Sequence, residues 1–206
     1  MASGIMHMAI AVELIRRREF SDPDRLKFGS VLPDAGFKGS SHFRLALNGG
    51  KRTIDLASFR EKFGERMKAD DLYLGYYLHL IQDICFRHFM YDKHQWNAGI
   101  PGNVDRLHRD YAIGNSYLIE KYRLCNNLSI PAGFDAEPLN ELCRFDIKQL
   151  AESFESYFEP VEGGSIFFFT NEMADEYIAE AVGLCLDEID AINRGGALMD
   201  CYACAW

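Results

Sequence analysis

One stretch constrains this chain more than any other: the residues from Asp71 to about Lys93 read as a single long helix with a histidine and an aspartate on its apolar side. Asp70 and Asp71 stand where carboxylates favour a helix N-terminus. Within Leu74-Gly75-Tyr76-Tyr77-Leu78-His79-Leu80-Ile81-Gln82-Asp83, His79 and Asp83 are four apart, so they share one face and reach each other. At about 100° per residue, Leu72, Gly75, Phe86 and Met90 fall within about 40° of His79. The pair therefore lies in an apolar stripe, where an unsatisfied charge is costly. Two arrangements satisfy it: a buried His–Asp hydrogen bond that orients a core helix, or a metal ion.

The rest of the chain also reads as helical. Ile10, Leu14 and Ile15 give Met6 to Glu19 a helical rhythm, with His7 on the same side as Ile10, Ala11 and Leu14. Phe28 to Gly39 reads as a turn-rich loop around Pro33-Asp34. Asn48-Gly49-Gly50, between Leu45-Ala46-Leu47 and Thr53-Ile54, suggests a short hairpin. Ser58 with Glu61 predicts a capping box opening a helix to about Met67. Further helices are expected over Val104 to about Cys125, Asp146 to Phe158, and from a cap at Thr170 or Asn171 to about Asn193. The fold class expected is all-α, a single-domain helical bundle with one small hairpin.

At 206 residues and 23.5 kDa the chain suits one domain, 1–206. Its net charge of -9 disfavours a sequence-independent nucleic-acid binder, which needs a basic footprint, and suits a bound cation. No run approaches the roughly 18 apolar residues of a membrane span. Met1 to Phe20 does not read as an export signal, because His7 and Glu13 break its apolar stretch and Arg16, Arg17 and Arg18 follow it. A cytoplasmic location with six reduced cysteines is the expectation. Cys201-x-x-Cys204 has no second pair at zinc-site spacing and reads as part of a flexible tail. Phe167-Phe168-Phe169 reads as packing ahead of the last helix.

Three upstream residues change the weight of the helical pair. His7 lies on an apolar helix side, Asp34 in a Pro-Asp turn, and His42 between Ser41 and Phe43. Imidazoles and carboxylates together form a suitable donor set for Zn²⁺, with Mn²⁺ or Fe²⁺ as alternatives.

The order His7, Pro33-Asp34, Ser41-His42-Phe43, then Tyr73-Leu74-Gly75-Tyr76-Tyr77-Leu78-His79-Leu80-Ile81-Gln82-Asp83 resembles the zinc-dependent phospholipase C family. That family shares an all-α fold with the single-strand-specific zinc nucleases, and the resemblance covers roughly residues 5 to 95. It implies one zinc site made of Asp34, His42, His79 and Asp83, and a second metal held by His7 with the bridging Asp83. The chain departs from the family in two ways. It begins with Met1 rather than the tryptophan whose amine binds metal, and its third site is incomplete. His88 lies about 180° round the helix from His79, His94 is about 16 Å along the helix from Asp83, and His108 has only Asp105 or Asp110 as substitute partners. One or two metals are expected.

The resemblance implies a metal-dependent hydrolase of a phosphate ester, acting on a small phosphodiester or phospholipid-type head group; Asp34, the only loop ligand, is expected to shift between metal binding and positioning the attacking water. The alternative is a helical protein in which the metal is structural, or an interaction module that has lost its chemistry. A His–Asp-doublet phosphohydrolase needs a histidine followed directly by aspartate, and none of the six histidines has that neighbour.

Overall fold

A computed structural model describes residues 2–161 and 163–206. The chain is mostly helical: α1 Gly4–Arg17, α2 Pro23–Val31, a one-turn α3 Lys38–Ser41, α4 Leu56–Ala69, α5 Asp71–His88, α6 Asn103–Tyr122, α7 Ile147–Ser156 and α8 Asn171–Asn193. Among the described residues, no helix is long and apolar enough to cross a membrane.

Helix α5 is the axis of the molecule. Asp70 caps it by accepting the Leu72 N–H at 2.9 Å. Every residue from Leu72 to Phe86 is buried, because α1, α2, α4 and α8 all pack on it. A helix apolar on all sides has to be a core helix. It runs on into a π-helical turn, Phe89–Lys93, so the long element extends to the expected end.

The segment Phe28 to Gly39 is largely helical where a loop is expected: α2, capped by Asp22 accepting the N–H groups of Asp24 and Arg25 and opened by Pro23, runs on through Phe28 to Val31. Gly29 and Pro33 look like breakers in the sequence, yet each has a local use. A β-carbon at Gly29 would collide with the Leu72 carbonyl, and one at Gly75 with the Leu26 carbonyl. The two glycines thus let the backbones of α2 and α5 touch. Pro33 opens a 3₁₀ turn, Leu32–Ala35, directly after α2.

The hairpin forms as expected, with β1 Arg44–Ala46 and β2 Arg52–Ile54 antiparallel and Leu45 opposite Thr53. Gly49 and Gly50 close it with positive φ of 76° and 78°. Helix α4 starts at Leu56 and is capped by Asp55, not by Ser58. The Asp55 carboxylate accepts both the Ser58 N–H and its hydroxyl, so the serine is the cap's partner.

The C-terminal segment is not a loose tail. Trp206 exchanges backbone hydrogen bonds with Arg52 at 2.7 and 2.9 Å, and the Thr53 hydroxyl donates to the carbonyl of the buried Cys201. All six cysteines are free thiols.

Candidate metal centre

Four separate elements bring the five expected residues together. Helix α1 contributes His7, the 3₁₀ turn Asp34, the end of α3 His42, and α5 both His79 and Asp83. His42 Nε2 lies 3.2 Å from His79 Nε2, 3.4 Å from Asp83 Oδ2 and 3.6 Å from Asp34 Oδ1. His7 Nε2 is 3.6 Å from Asp83 Oδ1, and its ring stacks on that of His79 with centroids 3.9 Å apart. Among the described residues, two sets of donors close to within 4.8 Å: His7, His79 and Asp83, and Asp34, His42 and His79. These residues could hold a metal ion.

The remaining ring nitrogens explain why the donors point inward. His79 Nδ1 donates to the Ser30 carbonyl at 2.8 Å, at the point where Gly29 and Gly75 bring α2 against α5. His7 Nδ1 donates to Gln82 Oε1 at 2.6 Å, and Ser41 Oγ lies 2.9 Å from His42 Nδ1. Each outer partner leaves the Nε2 lone pair directed into the cluster, the orientation that metal-bound imidazoles take. The donor set also passes a fit test. His7 Nε2 and both Asp83 carboxylate oxygens are buried without any hydrogen-bond partner. Native interiors rarely leave such atoms unmatched, and a cation would satisfy all three.

Electrostatics of the cluster follow from burial opposed by pairing. Burial and the neighbouring His7 charge push His79 down to about 3, so it is a neutral donor at neutral pH. Burial pulls His7 downward, but the Asp83 carboxylate 3.6 Å away outweighs it and raises the ring's pKa. For Asp83, burial favours the neutral acid, yet His7, His79 and His42 hold the carboxyl far below the usual range. Burial likewise opposes ionisation of Asp34, and His42, His79 and His7 overcome it.

The centre is enclosed around its histidines and Asp83 and is reached from the Asp34 side. His7, His42 and His79 are 0% exposed, whereas the Asp34 side chain keeps 23% exposure. Asp34 opens on a cavity of about 550 Å³ with Lys38, Arg44, His108 and Asn115 in its wall. Asp83 forms part of a second cavity, about 610 Å³, walled by Arg44, Arg52, Arg87, Tyr91 and Trp206.

None of the other candidates joins the cluster. His88 pairs with Asp92 and the Cys204 carbonyl, and His94 Nε2 lies 3.4 Å from Glu176. His108 packs beside Tyr111, and Asp105 is exposed. Asp110 is buried for another purpose: its carboxylate accepts the backbone N–H groups of Phe167, Phe168 and Phe169 at 2.7–2.8 Å. That clamp fixes the aromatic run, with Phe169 buried and Phe167 51% exposed. Sequence reasoning did not single out Ser30, Gln82 or Arg87. Gln82 and Arg87 were visible in principle, being next to and one turn beyond Asp83 on the same helix. Ser30 acts through its backbone carbonyl and leaves no sequence signal.

No protein-family model matches the chain, and no curated protein or solved structure matches it significantly.

Proposed function

We propose that this chain is a metal-dependent, zinc-using hydrolase of a phosphate ester, as its resemblance to the zinc-dependent phospholipase C family implies. The observation that supports this most is the convergence of five donors from four elements in two overlapping sets that share His79, with buried, unmatched atoms on Asp83 and His7 among them. Asp34, His42, His79 and Asp83 would hold one ion, and His7 with Asp83 a second. Zinc bound there would supply Lewis acidity toward a phosphoryl oxygen and bring the pKa of a water down toward about 7.

The chain's own residues supply the rest. Asp34, the donor that solvent reaches, accepts a hydrogen bond from the attacking water and aims it at phosphorus. Ser30 and Gln82 lock the rings of His79 and His7 so that binding requires no reorganisation. The cationic walls of the two adjoining cavities suit an anionic ester, either a small phosphodiester or a phospholipid head group.

A second reading, a structural metal that staples α1 and α5 to the turn after α2, is favoured by the complete burial of all three histidines. Hydrolysis of bis(p-nitrophenyl) phosphate by zinc-loaded protein separates the two. The enzyme reading expects turnover that drops about 100-fold or more in Asp34→Asn while zinc content persists. Zinc-replete wild-type protein without turnover supports the structural reading. Full turnover in a zinc-replete Asp34→Asn removes the role given to Asp34.

A further inference from the structure

Helix α5 and the π-helical turn after it continue the donor cluster outward in steps of about one turn. His79, Asp83, Arg87 and Tyr91 follow at four-residue spacing, so Arg87 stands about 6 Å along the axis from Asp83. The Arg87 guanidinium carbon lies 3.3 Å from the centre of the Tyr91 ring and 5.6 Å from that of Trp206. The two aromatic rings hold the fork against the wall of the cavity that also contains Asp83. Its Nη1 is buried and has no hydrogen-bond partner.

A guanidinium nitrogen in that state carries a desolvation cost that an anionic acceptor would remove. The rest of the cavity wall includes the cationic Arg44 and Arg52 and the apolar Leu45, Ile54, Phe86 and Trp206. We infer that this cavity is the substrate pocket, in which Arg87 takes the phosphoryl group beside Asp83 and the apolar wall takes the organic group of the ester. The inference rests on the metal-dependent reading above and narrows it to phosphate esters with an apolar substituent. Arg87 is chosen over a lysine-like role because its planar fork matches phosphate oxygens two at a time.

The test is calorimetric titration of the zinc-loaded full chain with inorganic phosphate and with phenyl phosphate, with zinc measured in the same samples. Phenyl phosphate is expected to bind about tenfold or more tighter than phosphate. Arg87→Met should weaken both by about tenfold or more, the worth of a charge-assisted hydrogen bond, without loss of zinc. Arg87→Lys, which keeps the charge and the fold's packing stem, should fall between the two. Trp206→Ala should weaken phenyl phosphate more than inorganic phosphate, because it removes part of the apolar wall as well as one of the two rings against Arg87. Wild-type affinities in zinc-replete Arg87→Met and Arg87→Lys, or equal binding of the two ligands by wild type, overturn this inference and leave the metal site standing. A wild-type chain that takes up no zinc overturns the proposed function and this inference with it.

Discussion

A histidine binds a metal through a free lone pair, so the partner of its other ring nitrogen governs the site as much as the ligand itself. Here those partners are a main-chain carbonyl for His79 and the Gln82 amide for His7. The first is immune to substitution at Ser30, since it is backbone. The second is not. Gln82→Leu leaves His7 Nδ1 without an acceptor in a fully buried position, and the ring is then free to turn or to change tautomer. Affinity for the second metal proposed at His7 and Asp83 is expected to fall about 10–100-fold, with the proposed site of Asp34, His42, His79 and Asp83 retained. Competition with a chelator of known zinc affinity measures both sites. Unchanged occupancy of both would show that Gln82 merely fills space.

At the scale of elements, the close approach of α2 and α5 builds the site. Gly75→Ala places a methyl against the Leu26 carbonyl and the Ser30 N–H, so α2 must retreat and take the Ser30 carbonyl away from His79. The expected cost is about 1–3 kcal/mol, or roughly 2–4 °C in Tm per kcal/mol for a chain of this size, together with weaker metal binding. A thermal melt of the variant with and without zinc checks both parts.

The same pair of helices shows what the sequence could and could not reveal. The long buried helix, its Asp70 cap, the hairpin and the last helix with its Thr170 cap were legible because periodicity and capping are local signals. Helix α2 was not, because Gly29 and Pro33 look like breakers until the partner helix is in place. His79 and Asp83 were legible from their four-residue spacing, but His7, Asp34 and His42 mainly as members of an ordered series resembling a family. Their convergence depends on tertiary contacts that no spacing along the chain encodes. The Asp110 clamp and the anchoring of Trp206 to Arg52 were hidden for the same reason: both join segments far apart in sequence.

For the whole molecule, one polar junction ties the periphery to the core. Arg25 of α2 donates Nε to Asp70 Oδ1 at 2.8 Å and Nη2 to Asp70 Oδ2 at 2.5 Å, and reaches Glu137 Oε1 at 2.7 Å. Burial opposes ionisation of Asp70, but the Arg25 pair and the Leu72 N–H outweigh it and lower its pKa below the usual carboxylate value. A lowered folded-state pKa means stability that is fully present above about pH 4, the unfolded value, and lost as pH falls through the folded one. Arg25→Met should therefore cost about 1 kcal/mol at neutral pH, solvent screening keeping it small. That difference should shrink as urea melts are taken progressively below pH 4; a difference that stays constant would place the stabilisation in packing instead. The central claim concerns the cluster itself, and elemental analysis of untagged protein purified without chelator, beside His79→Ala, tests it most directly. The account predicts one or two equivalents of zinc, manganese or iron in the wild type, lost in the variant. Wild-type protein that folds normally and stays metal-free when zinc is supplied would contradict it, leaving His79 and Asp83 as a buried polar pair 3.7 Å apart.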